Sequence, residues 1–187
     1  MHLKTIRNFE WYNEPELALD SDCMTITVAP NTDFQRDRER GINKDNGHFF
    51  FSRPKGNFNL RVNWQFCSNL PQGAQYGLMA RIDSNNWAKI GVITNADGTF
   101  SIMTSTTNLG VSDIAVYPLS NAATDIFFRL EKIDQDLCFS FSSDNENFVR
   151  IRWFQMIADC NELKVGAYAC NPQKADFCAV LSDMEFY

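Results

Sequence analysis

The sequence predicts an all-β protein built as a two-sheet antiparallel jelly-roll sandwich. Three observations support this fold class. Aromatic residues make up 13% of the chain, with 16 phenylalanines, and aromatic side chains suit a pleated, half-buried strand. Apolar and polar residues alternate in many short segments, and no segment keeps a helical period. The length of 187 residues fits a single domain over 1–187, since sandwiches of this size form one core.

Most predicted strands outside the centre of the chain show this alternation directly. They cover residues 23–29, 48–52, 58–66, 126–130, 137–141, 149–153, 163–170 and 177–186. Between the first two, a polar stretch from Asn31 to Asn46 carries charges of alternating sign. We expect it to be a solvated loop that is long enough to act as a lid at one edge of a cleft. One short helix, from Trp153 to Asp159, fits the pattern before Cys160.

The most informative stretch runs from Ala74 to Asp113. With a period of two, its first strand places Tyr76, Leu78, Ala80 and Ile82 on one face and Gln75, Gly77, Met79 and Arg81 on the other. Its second strand separates Ala88, Ile90 and Val92 from Trp87, Lys89 and Gly91 in the same way. Polar turns at 83–86 and 95–98 return the chain, so we predict three consecutive antiparallel strands. The apolar faces share the core, and the polar faces share a surface.

The run GLMARIDSNNWAKIGV at 77–92, followed by SIMTSTTNLGVSD at 101–113, resembles a family of uncharacterised domains. Those domains have a concanavalin A-like lectin/glucanase fold, and one member is associated with regulation of enolase. The positions that match the family are Gln75, Gly77, Leu78, Met79, Arg81, Trp87, Lys89, Gly91, Ser112 and Asp113. Three positions depart from it: Ala74 replaces an expected Asp, Ile93 a Glu and Ile114 a Trp. The resemblance implies the fold and does not identify a ligand.

Charge and composition exclude several classes of partner. The net charge is −6 without a basic cluster, so we expect neither nucleic acid nor an anionic membrane as a partner. No apolar run approaches the roughly 18 residues that span a bilayer. The N-terminus lacks the apolar region of a secretory signal, and we therefore expect a cytoplasmic protein.

The six cysteines are expected to be free, small, buried side chains rather than disulfides, given the expected cytoplasmic location. None of their spacings matches C-x-x-C, so we predict no zinc site, and nothing indicates a cofactor.

Residue patterns for catalysis are absent. His2 and His48 are the only histidines, no nucleophile elbow accompanies them, and His48 is expected to make a structural hydrogen bond. Retaining glucanases need paired carboxylates about 5 Å apart, and no E-x-D-x-E motif occurs; the nearest doublet is Asp183 with Glu185. The departures at Ala74 and Ile93 remove the carboxylates that the family comparison leads one to expect. We therefore predict no catalytic residues and favour a binding protein over an enzyme.

The predicted ligand-binding residues are Gln75, Arg81, Trp87 and Lys89, together with Asp33 and Asp113 as loop carboxylates. An exposed indole stacks on sugar rings, and the polar groups supply directional hydrogen bonds. In the alternative interpretation, Trp87 packs under a loop while Arg81 and Lys89 pair with these aspartates in a structural network. Three further residues belong to the site only if their strands are neighbours: Arg129, Tyr168 and Asn171.

Three functions remain open from the sequence. The first is a non-catalytic, lectin-like module that binds a carbohydrate or a small polar or anionic ligand on the concave sheet. For this module, substitution of Trp87 or Arg81 by Ala should weaken binding with little change in melting temperature. The second is a protein-interaction module that regulates a metabolic enzyme such as enolase, as the resemblance implies. The third is a glycoside hydrolase or lyase, because distant strands could still bring Asp33, Asp83 or Asp113 together.

Overall fold

The computed structural model describes residues 8–20, 23–119 and 124–187, and the strands dominate it. In chain order they are β1 (Glu10–Tyr12), β2 (Glu16–Leu19), β3 (Met24–Val28), β4 (Phe34–Asp37), β5 (Ile42–Asp45), β6 (His48–Ser52), β7 (Phe58–Gln65), β8 (Gln75–Asp83), β9 (Asn86–Thr94), β10 (Phe100–Asn108), β11 (Val111–Pro118), β12 (Asp125–Ile133), β13 (Asp136–Ser142), β14 (Val149–Phe154), β15 (Lys164–Cys170) and β16 (Phe177–Phe186). A single 3-10 turn at Cys160–Glu162 is the one helical element in the described ranges.

The strands form two large antiparallel sheets and one separate hairpin. The first sheet has the order β1-β6-β15-β8-β9-β10-β11, and the second has the order β14-β13-β12-β7-β16-β3-β2. Strands β4 and β5 pair only with each other. This arrangement confirms the predicted two-sheet sandwich, including three consecutive antiparallel strands at β8, β9 and β10.

The main hydrophobic core lies between the two sheets and follows the predicted alternation. Tyr76, Leu78 and Ala80 of β8 are fully buried in it, as the period of two requires. Trp64 from β7 lies against Tyr76 with ring centroids 5.3 Å apart, and its indole N–H donates to the Gly77 carbonyl at 3.1 Å. The core therefore settles which face of β8 and β9 points away from the sandwich.

A second apolar cluster covers that outer face of the first sheet. It joins Phe49 of β6, Met79 of β8, Trp87 of β9 and Tyr168 of β15 to Phe34, the first residue of β4. The β4–β5 hairpin packs on the sheet through Phe34, so it covers part of this face.

Two local predictions were wrong. The stretch from Asn31 to Asn46 is not simply a solvated loop, because the β4–β5 hairpin forms inside it. The helix predicted for Trp153–Asp159 does not form: β14 runs to Phe154, and the only turn of helix in this region begins at Cys160. Strand pairing outweighed the local charge pattern in the hairpin and took up Trp153 and Phe154, whereas residues 155–159 form neither helix nor strand.

His48 behaves as predicted, whereas the cysteines do so only in part. The Ala29 amide donates to His48 Nε2 at 3.1 Å, and His48 Nδ1 lies 2.6 Å from the Asn13 carbonyl. All six cysteines are free, but only Cys138 and Cys170 are buried. Cys23, Cys67 and Cys160 are half-buried and Cys178 is exposed, so the prediction of buried side chains was wrong for these four. His2 lies outside the described residues. Within those residues, no group of metal-ligating side chains gathers, and no helix is long and apolar enough to cross a membrane.

Candidate ligand-binding cleft

A cleft of about 790 Å³ lies between the β4–β5 hairpin and the outer face of the first sheet. Its floor is formed by β8, β9 and β10, and one wall is formed by the hairpin from Asp33 to Arg40. Apolar residues line the rest of the cleft: Ile93 on β9, beside Gln75 in the strand register, together with Val111 and Ile114 of β11 and Pro172.

Four polar side chains on the floor are more than nine-tenths buried: Gln75, Trp87, Lys89 and Ser105. They share one face because Lys89 of β9 lies directly opposite Ser105 of β10 in the strand register. The Lys89 ammonium donates to the Phe34 carbonyl at 2.7 Å and lies 3.9 Å from the Asp33 carboxylate. A buried ammonium with one strong acceptor and one distant carboxylate keeps donor capacity for a ligand.

Trp87 is only 1% exposed, so the predicted exposed indole was wrong. Its ring belongs to the same apolar cluster as Phe34 of the hairpin, and the Lys89 ammonium lies 5.3 Å from the ring centroid, so the ring is not open for a sugar to stack on. The packing of Trp87 under this segment matches the alternative interpretation of the sequence. Its edge still lines the cleft, and its indole N–H donates to no described residue.

Ser105 also lacks a hydrogen-bond partner among the described residues. The described residues include several polar atoms that are fully buried and have no partner, but the Ser105 hydroxyl and the Trp87 indole nitrogen are not among them. Each of these two atoms therefore keeps some contact with solvent. Both groups therefore face the cleft with unused hydrogen-bonding capacity. Buried polar groups are normally hydrogen-bonded, and two open ones on one floor indicate a place for a polar ligand or for water.

Arg81 does not line this cleft. Its guanidinium makes a bidentate ion pair with Asp45 at 2.7 and 2.8 Å and stacks over the Tyr12 ring at 4.9 Å. Asp45 is the last residue of β5, opposite Phe34 in the hairpin register. Arg81 and Lys89 therefore hold the open end of the hairpin, where β4 begins and β5 ends, against the sheet. In this structure Arg81 is a structural clamp rather than a ligand contact in the cleft.

Asp113 is also placed elsewhere. It lies on β11 and accepts from the Arg152 guanidinium at 2.6 Å, at the edge of the sandwich rather than over the floor. Asp33, by contrast, lines the cleft beside Lys89. Four of the six predicted residues are thus brought together, namely Gln75, Trp87, Lys89 and Asp33.

The three residues whose position the sequence left open do not reach the cleft as ligand contacts. Tyr168 lies beneath it, with its hydroxyl 3.5 Å from Gln75 Oε1, and burial raises the pKa of this phenol well above its usual value. Asn171 is fully buried and holds a loop through the Ala175 carbonyl and the Thr32 hydroxyl. Arg129 belongs to the second sheet and stacks over Phe148 at 4.2 Å.

Sequence reasoning missed Met103 and Ser105 on β10 and the hairpin wall. The β10 residues could have been found by counting across the turn at 95–98, since a register through that turn sets Ser105 beside Lys89. The three departures from the family pattern also have definite positions. Ala74 is fully buried in the core, whereas Ile93 and Ile114 are apolar lining residues of the cleft.

Two packed antiparallel sheets with a polar-floored cleft on an outer face define a lectin-like β-sandwich protein. A legume lectin-like domain from Entamoeba histolytica has this fold, with a TM-score of 0.63, 11% identity and coverage of 97% of this chain and 90% of that one. A structure of a functionally unknown protein from Saccharomyces cerevisiae is more similar, with a TM-score of 0.87, 24% identity and 97% coverage of both chains. At these identities the likeness establishes the fold alone.

The chain belongs to the family described as protein of unknown function, DUF1349, whose model matches residues 11–187. A relative in Saccharomyces cerevisiae, regulation of enolase protein 1, is 28% identical over 174 residues, which cover 92% of this chain and 86% of that protein. These findings confirm both the resemblance drawn from the sequence and the predicted fold.

Proposed function

We propose that this protein is a non-catalytic binding module that takes a carbohydrate or a small polar or anionic ligand in the cleft beneath the β4–β5 hairpin. The observation that carries the proposal is the pair of unpartnered polar groups on the floor, the Trp87 indole N–H and the Ser105 hydroxyl. Ser105 lies opposite Lys89 in the strand register, and the Lys89 ammonium lies 5.3 Å from the Trp87 ring centroid. The floor therefore offers several polar groups within one concave surface.

The form of the cleft fits a ligand with one polar and one apolar side. The polar lining includes Gln75 and Lys89 on the floor, whereas Val111 and Ile114 of β11 supply an apolar side. A sugar ring presents hydroxyls at its edge and C–H groups on its face, and this division matches the two surfaces. Trp87 contributes an N–H donor here rather than a stacking ring, because its face is covered.

A hydrolytic role has less support from the same residues. Asp33 is held by the Phe34 amide at 2.7 Å and lies 3.9 Å from Lys89. Asp37 accepts from the Arg40 amide at 2.9 Å and lies 3.6 Å from the Arg40 guanidinium. Asp33 and Asp37, two of the three carboxylates that line the cleft with Glu39, therefore suit hairpin structure better than proton transfer to a glycosidic oxygen.

Binding can be tested with an array of neutral and acidic glycans, followed by calorimetry on the ligands found. Ser105→Ala removes a hydroxyl that no described residue uses, so stability should change little. Loss of one hydrogen bond is worth about 0.5–1.5 kcal/mol and should weaken binding roughly 2- to 12-fold.

The matched control is Ser101→Ala. Ser101 lies on the same strand, but its hydroxyl accepts from the Asn95 side chain at 2.9 Å, so its loss should leave affinity unchanged. If no neutral or acidic glycan on the array binds, the carbohydrate proposal is overturned. Equal effects of the two serine variants on affinity would overturn it as well.

The second candidate function is regulation of a metabolic enzyme through direct contact, which the name of the yeast relative favours. Mixing this protein with purified enolase and measuring co-elution on a sizing column tests it directly. Elution as two separate species at micromolar concentration would count against enolase as the partner. We also propose a cytoplasmic location, as expected from the sequence, and the six free cysteines are compatible with a reducing compartment.

A further inference from the structure

Exposed large apolar side chains concentrate on one side of the sandwich. Twelve occur among the described residues, and eight of them lie on β11, β14 or the segments beside these strands. The eight are Leu109, Val111, Ile114, Val116, Tyr117, Val149, Trp153 and Ile157. Concentration of this kind marks an interaction surface, whereas single exposed apolar residues do not.

The two strands are the edges of their sheets and lie against each other. Arg152 of β14 pairs with Asp113 of β11 at 2.6 Å. Beyond β14, the Ile157 amide donates to the Asn108 side chain at 2.9 Å. The exposed apolar side chains of both layers therefore lie along this one edge of the sandwich.

The outward edge of β11 has a full set of unused backbone groups. The Leu119 amide donates to Phe100, and hydrogen-bonded pairs alternate along an antiparallel ladder. It follows that the N–H and C=O groups of Ser112, Ile114 and Val116 point away from β10. In the described part of the chain, no strand pairs with that edge.

Edge strands are normally protected by lysine, proline or a bulge. The strand Val111–Pro118 contains no lysine, its proline is the last residue, and its pairing with β10 is regular throughout. An eight-residue edge without these features is suited to pairing with another strand.

We propose that β11 pairs antiparallel with β11 of a second copy of this chain, with the two-fold axis at Ile114. This register places Ile114 opposite Ile114 and Ser112 opposite Val116, so that every outward-pointing group on these residues finds a partner. The first sheets of both copies then join into one continuous sheet.

Charge favours a second copy as the occupant. Asp113 is the only charged residue of β11, it is already neutralised by Arg152, and it lies opposite Ala115 in this register. No like charges of β11 itself face each other across the axis. Because Ser112 and Ile114 line the cleft, pairing also brings the two clefts next to each other. The dimer does not depend on what the cleft binds.

Sedimentation over a wide range of protein concentration tests the proposal, with hydrogen exchange as an independent measurement. We expect a dimer that dissociates on dilution. The amides of Ser112, Ile114 and Val116 should be protected only in the dimer. Those of Asp113 and Ala115, which bond to β10, should be protected at every concentration.

Ile114→Lys places a charge at the axis and should weaken the dimer at least tenfold. Should that variant fold poorly, Val116→Pro removes only an outward N–H and serves the same purpose. The matched control is Leu19→Lys, an equally exposed position on β2, the edge strand at the other side of the second sheet. A chain that stays monomeric at all concentrations, or a dimer that the β11 variants leave intact, would overturn the proposal.

Discussion

Asp45→Asn should destabilise the protein strongly, although Asp45 lies on a hairpin that the sequence did not reveal. The substitution keeps the shape of the side chain and removes its charge, so the Arg81 guanidinium loses its ion-pair partner. The Arg81 side chain is 7% exposed and that of Asp45 is 22% exposed. Removing one member of a buried pair costs about 3–5 kcal/mol, and the remaining exposure of Asp45 lowers our expectation to about 2–3 kcal/mol.

For a chain of this size, about 2–3 kcal/mol corresponds to a fall in melting temperature of roughly 4–12 °C. Urea denaturation gives the free energy of unfolding directly. Glu10→Gln is the matched control, since it removes the same kind of charge from an exposed ion pair. The Glu10 side chain is 60% exposed and that of its partner Arg53 is 44% exposed. An exposed pair contributes about 0–1 kcal/mol.

Equal effects of Asp45→Asn and Glu10→Gln would refute the assignment of Arg81 as a structural clamp. The result also separates two interpretations of Arg81. If Arg81 were a ligand contact, breaking its pair with Asp45 would weaken binding at constant melting temperature. If Arg81 is a clamp, breaking that pair lowers the melting temperature.

Two further predictions concern ionisable groups away from the cleft. Burial lowers the pKa of His48, so the folded state favours the neutral ring. Below about pH 6.5, the usual pKa of histidine, the unfolded state binds more protons than the folded state. The free energy of unfolding should therefore be constant above that pH and fall below it. Urea midpoints at pH 7.5 and 5.5 should therefore differ in the wild type and differ less in His48→Gln, and equal differences would contradict the assignment. For the thiols, burial raises the pKa of Cys170 to about 12 while Cys178 is exposed, so iodoacetamide should label Cys178 first and Cys170 only on unfolding. Rapid labelling of Cys170 in the folded protein, measured by peptide mass spectrometry, would be inconsistent with the structure.

The site was only partly predictable because a pattern along one strand fixes a face but not what covers it. The period of two correctly placed Gln75, Trp87 and Lys89 on one surface, and a register carried through the turn at 95–98 would have added Ser105. Nothing local to Trp87 indicated that its ring would be buried. That burial depends on Phe34, which lies more than fifty residues earlier in the chain.

Taken alone, the sequence determined the fold class, the face of each central strand and the family, because side-chain alternation and short motifs are local properties. It also determined that the cysteines stay unpaired and that His48 is structural. The tertiary structure decided the rest. It paired Arg81 with Asp45 and Asp113 with Arg152. It also buried Trp87 in the cluster that contains Phe34 of the β4–β5 hairpin, and it left β11 at the edge of its sheet. Ion pairs and burial depend on which distant segments meet, and a polar stretch of alternating charge does not specify where it will fold back.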